Sequence, residues 1–268
     1  MGSVQVVFMM KEFADKIYFS DQREKLIEKL RRRGISQPTL KAMSEIPRHL
    51  FVSPSLLAFS YLDKVLPIAK KPNWRHPLAF WRSESTLSQP AVIAEMTDLL
   101  ALQKNDNVLE IGTASGYQAA ILSRLAKNVV TVDVFPDLCQ AAQGRFLRLK
   151  IDNIQVLVAD GSIPFTKDKV FDKIIVTASV PPMPPYHPLL NLLKPGGLAV
   201  IPLGGFGGKE DACEMISVRA TKEGYKIEHR RPGYGFVALR GRAGWETFNQ
   251  LLALSFHEKV IENLGHDE

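Results

Sequence analysis

Glu110 stands one residue before the end of a short apolar run, and Asp133 and Asp160 each close another. Carboxylates placed that way can accept hydrogen bonds from hydroxyls and amines, or pair with a cation. The first lies in VLEIGTASGY, Val108 to Tyr117, two residues before Gly112. Gly112 permits a tight turn, and Gly116 lets the next helix start close to whatever lies across that turn. Asp133 ends the next apolar run, roughly 20 residues further on, where a carboxylate can take both hydroxyls of a ribose. Asp160, followed by Gly161, is placed to accept from an adenine amino group. Together they describe a nucleoside laid over a bare turn.

The spacing also discriminates between nucleosides. A dinucleotide site prefers G-x-G-x-x-G, with a pyrophosphate on the helix N-terminus. Here the glycines follow G-x-x-x-G, and Glu110 precedes the first of them. An acid there is awkward beside a pyrophosphate and welcome beside a sulfonium or an ammonium group. S-adenosylmethionine is therefore the expected cofactor.

These residues need a frame, and the surrounding pattern supplies one. Strands are predicted over 108–111, 129–132, 154–158, 173–177 and 198–203. Helices are predicted over 90–100, 116–125, 136–149 and 187–193, the last stopped by Pro195-Gly196-Gly197. Strands alternating with helices imply an α/β fold, a doubly wound, mostly parallel, Rossmann-like sheet, with ligands beyond the carboxyl ends of its strands. N-terminal helices are expected from Phe13 to Arg33, stopped by Gly34, and after Ser36-Gln37-Pro38. IPRHLFVSP reads as a loop and a turn, and Lys70 to Ser83 as a long surface loop or flap. Past Gly208 the runs 215–219, 226–229 and 236–239 look like strands, and 245–263 like a closing helix. The expected organisation is an N-terminal helical and flap segment (1–87), a cofactor-binding core (88–242) and a C-terminal helical extension (243–268).

Composition narrows the class further. The 268 residues are 46% hydrophobic and 23% charged, as in an ordinary globular protein. Cys139 and Cys213 form neither a C-x-x-C pair nor a Cys/His cluster, so neither a disulfide framework nor a metal site is expected. No apolar run reaches the length of a membrane span. No secretory signal is legible, and a reducing, cytoplasmic setting is expected. The net charge of +6 is scattered in small clusters such as Arg31-Arg32-Arg33, so a nucleic-acid partner is not expected.

Beyond the cofactor loop, several segments resemble one family, the protein-L-isoaspartate O-methyltransferases. IPRHLFV (46–52) resembles its V-P-R-x-x-F-V segment, and YLDKVLPI (61–68) its Y-x-D-x-x-L-P-I. STLSQPAVIAEMTDLL (85–100) is similar to the T-I-S-Q-P helix before the cofactor domain. FDKIIVTASVPPMP and LKPGGLAVIPLGG resemble its fourth and fifth strands, and YGFVALRG its closing F-V-P-L-x-G. The resemblance implies methyl transfer from S-adenosylmethionine to the free carboxylate of an L-isoaspartyl residue in a protein or peptide. It places the active-site serine on Ser88, with Thr86 beside it. Glu110, Gly112, Asp133 and Asp160 fall on cofactor-contacting positions. Thr113, Ser115, Gly116, Val134 and Gly161 are assigned to the cofactor with them.

The chain departs from the family pattern at several places. AFWRSES replaces the glycine-rich stretch before T-I-S, behind an insert from about residue 69. Ala114 stands where glycine is common, and Ala238 where proline is. Residues 245–268 run past the usual end. The altered flap and extension keep open methylation of a normal aspartate in a dedicated peptide, and the extension keeps open cofactor binding without turnover. The basic charge permits methylation of a nucleic acid or small molecule, which the T-L-S-Q-P segment disfavours.

A carboxylate is already ionised at neutral pH, so no general base is required. Ser88 is expected to donate a hydrogen bond to the substrate carboxylate, with backbone amides near Ser88 and Val180 assisting. A helix N-cap is the competing role for Ser88. His49 is expected to be a packed loop histidine with no catalytic role. Trp74 and Trp81 could form a lid or anchor their loop. Val180 to Tyr186, with four prolines, could line a peptide groove or merely connect.

Overall fold

A computed structural model describes residues 18–68, 85–168, 170–182, 187–205 and 212–250. The chain opens with helix α1 over 18–32, which buries Leu26, Ile27 and Leu30. Gly34, at φ 82°, ends it in the left-handed conformation that an L-residue adopts only at a cost. Helix α2, Gln37–Glu45, follows, with proline in its first turn. Ser36 precedes it but does not cap it. Its N–H and hydroxyl both donate to the Asp98 carboxylate, at 2.7 and 2.6 Å, and so tie two helices together.

IPRHLFVSP, where a loop and a turn were expected, contains one 3₁₀ segment, Arg48–Phe51, and its last residue starts another, Pro54–Phe59. Strands β1, Leu66–Pro67, and β2, Thr86–Leu87, then pair antiparallel, Leu66 with Leu87 and Pro67 with Thr86. The proposed flap over 70–83, with Trp74 and Trp81, lies outside the described residues. Helix α3, Pro90–Leu99, leads into the sheet.

The sheet contains β3, Asn107–Ile111; β4, Asn128–Asp133; β5, Ile154–Val158; β6, Phe171–Val176; β7, Leu193–Leu203; β8, Cys213–Thr221; and β9, Gly224–Tyr234. Its order is β5-β4-β3-β6-β7-β8-β9. The first five in that order are parallel, and β8 and β9 are antiparallel additions. Helix α4, Tyr117–Leu122, connects β3 to β4, and α5, Pro136–Arg148, connects β4 to β5. Strand order reverses at β3, whose neighbours are β4 and β6, and a crevice opens there.

The central strands are apolar on both faces because both faces are covered. Val108 and Ile175 join a cluster with Leu30, Phe51, Tyr117 and Phe146. Leu109, Ile111, Ile174 and Val176 point the other way, toward Leu189, Leu190 and Val218. By the same alternation Glu110 shares the face of Val108.

Three expectations need correction. The predicted helix over 187–193 is a 3₁₀ turn, Pro188–Leu192, and β7 begins immediately after it. Pro195-Gly196-Gly197 sits within that strand as an irregularity: Phe171 pairs Leu193, but Lys173 already pairs Leu198. Gly196, at φ 79°, supplies the bend. Residues 236–239 form no strand. They make one parallel bridge, Ser179 to Ala238, in which Ser179 N–H donates to the Val237 carbonyl and Leu239 N–H to the Ser179 carbonyl. The bridge uses no N–H from Ala238, so a proline there would cost it no bond. The closing helix is described over 245–250, and the rest of the predicted span lies outside the described residues.

Candidate active site

The turn after β3 is shaped by contacts behind it as much as by space in front. Gly112 has φ 103°, and a Cβ on it would stand 2.3 Å from Thr177 Oγ1. That hydroxyl donates to the Gly112 carbonyl at 2.9 Å and ties the turn to the end of β6. Gly116, at φ 85°, leaves room for the Phe146 ring, which a Cβ would meet at 2.7 Å. Its role is helix packing, not the ligand access expected of it. Ala114 takes φ 47° without being glycine. Its N–H donates to Asp133 Oδ2 at 2.9 Å, so an acid from β4 holds the strained residue in place. Arg145 donates to the carbonyls of Ser115 and Leu50, at 3.3 and 3.2 Å, and braces the turn from α5.

A cavity of about 970 Å³, its open mouth included, lies over this turn. Glu110, Gly112, Thr113 and Ser115 line it from the β3 turn, Asp133 and Val134 from the end of β4, and Gly161 from the end of β5. Thr86 and Ser88 line it from the other side. Nine of the eleven residues singled out from the sequence therefore face one space. Gly116 and Asp160 do not. Asp160 Oδ1 accepts from the Ser162 amide and hydroxyl, and Oδ2 from the Arg242 amide at 2.8 Å. It latches the end of β5 to the C-terminal segment instead of presenting its carboxylate to the cavity. Val180 also drops out as a donor, because its N–H is given to the Pro202 carbonyl at 2.7 Å.

The electrostatics favour a cation or a hydroxyl-rich ligand. Glu110 is completely buried. Its Oε2 accepts from the Thr131 hydroxyl, which meets the Thr113 hydroxyl at 2.7 Å. Its Oε1 completes no hydrogen bond among the described residues, although the Ala119 amide lies near enough to favour the charged form. Burial, and more weakly the Asp133 charge, push the Glu110 carboxyl up to about 8. Burial likewise raises Asp133, while the amides of Ala114, Phe135 and Val134 pull it back. Two desolvated acids and an unpartnered buried oxygen form a site that a positive group would relax.

On the opposite wall, Gln89 is the N-cap of α3 and makes no side-chain cap bond. The Ala91 amide is taken by Asp63 Oδ1 at 3.0 Å. Ser88 is thus not the cap of α3, and it lines the cavity. An adjoining groove shares Thr86, Ser88, Thr177, Val237 and Ala238 with the cavity and continues over Tyr234 and Phe236. Such a groove can admit a chain end-on to Ser88.

Sequence reasoning missed Phe135, Gln118, Thr177, Leu239 and Arg240, all of which line the cavity. Phe135 was legible as an aromatic two residues past Asp133. Thr177 and Leu239 arrive through strand order and a single bridge, which no local pattern announces. His49 is a packed histidine as expected: Nδ1 meets the Tyr61 hydroxyl at 2.9 Å, and its ring stacks on Phe19.

Comparison with known proteins identifies the family. Residues 21–244 match the sequence profile of protein-L-isoaspartate(D-aspartate) O-methyltransferase. The chain is 39% identical to protein-L-isoaspartate O-methyltransferase 1 of Syntrophobacter fumaroxidans, over 86% of this chain and 99% of that one. It is 37% identical to the enzyme of Methanoculleus marisnigri, over 84% and 94%. A solved protein-L-isoaspartate O-methyltransferase superposes with a TM-score of 0.70 at 28% identity, covering 83% of this chain and 67% of that one. A Plasmodium falciparum structure in complex with S-adenosyl-L-homocysteine shares the fold, with a TM-score of 0.63 at 22% identity over 81% and 98%. The chain belongs to the protein-L-isoaspartate(D-aspartate) O-methyltransferase family.

Proposed function

We propose that this chain transfers a methyl group from S-adenosylmethionine to the free carboxylate of L-isoaspartyl residues in damaged proteins and peptides, the first step of their repair. One observation carries the reading: the acids of the nucleoside-binding turn and the Thr86–Ser88 segment face the same cavity, which opens into a groove.

The residues present fit the cofactor. Glu110, with its unpartnered oxygen, suits a positively charged group, and Asp133 suits the ribose hydroxyls. When bound, the cofactor supplies an electrophilic methyl carbon on a sulfonium. The chain's own residues then have three tasks. Ser88 donates its hydroxyl proton to one oxygen of the incoming carboxylate and leaves the other oxygen aimed at the methyl carbon. Thr86 flanks that carboxylate on the same segment. Leu87, Ile93 and Met96 make the neighbouring wall apolar and keep water from the attacking oxygen. Since the nucleophile is already an anion, alignment is the main contribution the protein makes, and good alignment contributes up to about 7–11 kcal/mol.

The test pairs peptides that differ only in isoaspartate against aspartate, with methyl-labelled cofactor. Base-labile label on the isoaspartyl peptide alone is the expected result. Label on the aspartyl peptide would replace this reading with a specialised aspartyl methyltransferase. Label on neither, with cofactor still bound, would leave a binding protein without turnover.

A further inference from the structure

Two N-terminal motifs, IPRHLFV and YLDKVLPI, contribute nothing to the cavity lining, yet both reach the segment that carries Ser88. Arg48, from the first, is completely buried. Its Nε donates to the Ser60 carbonyl and its Nη2 to the Ser88 carbonyl, each at 2.9 Å. Its guanidinium lies over the Tyr117 ring, 4.9 Å from the centroid. Asp63, from the second motif, has a side chain only 2% exposed. Oδ1 accepts from the Ala91 amide, and Oδ2 faces Lys29 and Arg33 at 3.1 and 3.3 Å. Ser88 lies between the anchors, its own carbonyl fixed by Arg48 and the first turn of the following helix fixed by Asp63.

Stability alone is a poor reason for this arrangement. A buried arginine carries a large desolvation penalty that an apolar side chain of similar size would avoid. Nη1 completes no hydrogen bond among the described residues, which adds to that penalty. What arginine offers in return is two donors in one rigid plane, able to hold carbonyls of two separate loops in a fixed relation. We propose that Arg48 and Asp63 form a clamp that sets the backbone of Ser88, and that both are positioning residues for methyl transfer. The functional part of this claim rests on the role given to Ser88 above.

Hydrogen exchange and kinetics on the full chain test the clamp together. Arg48→Lys keeps the charge but loses the planar fork. Asp63→Ala removes the acceptor for Ala91, and Asp63→Asn restores one. Faster exchange at residues 86–91 is expected for Arg48→Lys and Asp63→Ala, and for Arg48→Lys around Ser60 as well. Turnover of an isoaspartyl peptide should fall roughly 10–100-fold, in line with an ångström of misplacement. The Kd for S-adenosylhomocysteine should stay within about twofold, and Asp63→Asn should recover most of the turnover that Asp63→Ala loses. In a Ser88→Ala background, Arg48→Lys should cost less than about threefold more, because the two act as one unit. Unchanged exchange at 86–91, losses additive with Ser88→Ala, or a parallel loss of cofactor affinity would overturn the proposal. If Arg48→Lys does not fold, the two Asp63 variants make the same comparison. Should the unmodified protein methylate no isoaspartyl peptide, the functional reading fails, and the exchange data alone decide whether the clamp orders Ser88.

Discussion

The roles proposed for Ser88 and Glu110 are distinct, and each makes a separable prediction. Because α3 takes its cap from Asp63, Ser88→Ala removes a donor to substrate without unravelling a helix. Turnover should fall by about 100-fold, while S-adenosylhomocysteine affinity changes less than about twofold, as seen when an interaction specific to the transition state is lost. Steady-state kinetics beside calorimetry separate the two effects. Glu110 behaves differently. Its folded value of about 8 lies above the ordinary 4.5. Between those values the folded, ligand-free protein holds a proton that the unfolded chain has released. Stability therefore falls as pH rises through that window, by at most ~1.4 kcal/mol per unit. A cation beside Glu110 favours its ionised form, so binding near pH 7 should release a proton and tighten as pH rises toward 8. Titrations in buffers of different ionisation enthalpy read that proton, and Glu110→Gln should abolish its release.

The turn after β3 concentrates the strain of the fold. Gly116→Ala would put a methyl group into the Phe146 ring at a positive φ. We expect it to lower stability by about 2–4 kcal/mol in urea titrations, the sum of left-handed strain and overpacking. Ala114→Gly should do the reverse or nothing. It relieves a left-handed alanine at φ 47°, with a gain of up to about 1 kcal/mol, partly offset by a more flexible unfolded chain. These two residues also show what the sequence could and could not tell. The glycines marked the turn correctly, but the neighbour that demands Gly116 is Phe146, on a helix further along the chain. The strands of the parallel core were legible because apolar runs covered on both faces are distinctive. Helix ends were harder: Ala101 and Lys150 take the left-handed conformation after α3 and α5, and neither residue type signals a stop. The 3₁₀ turn at Pro188–Leu192 and the bridge at Ala238 escaped for a related reason, since their conformation is fixed by contacts distant in sequence. Asp160 was expected to accept from an adenine amino group, but its carboxylate is taken by Ser162 and Arg242, which make it a latch. Gly241→Ala tests that directly, because its Cβ would stand 2.0 Å from Asp160 Oδ1. Melting should drop, and cofactor affinity should fall with it as Leu239 and Arg240 shift in the cavity wall.

Across the molecule, one apolar cluster runs from α1 and α2 through α3 to the sheet, so the N-terminal segment and the strands beside the crevice share a core. That continuity is consistent with the proposed clamp, in which Arg48 and Asp63 hold the segment around Ser88 beside a cavity lined from β3, β4 and β5. No helix among the described residues is long and apolar enough to cross a membrane. The cavity lies where strand order reverses at β3, and Glu110 and Asp133 line it. Titration of the pure protein with S-adenosylhomocysteine tests this most directly. One site per chain is expected, with affinity sharply reduced by Asp133→Ala and with a proton released from Glu110. A silent titration, or equal binding by Asp133→Ala, would contradict the assignment of the crevice to an adenosyl cofactor.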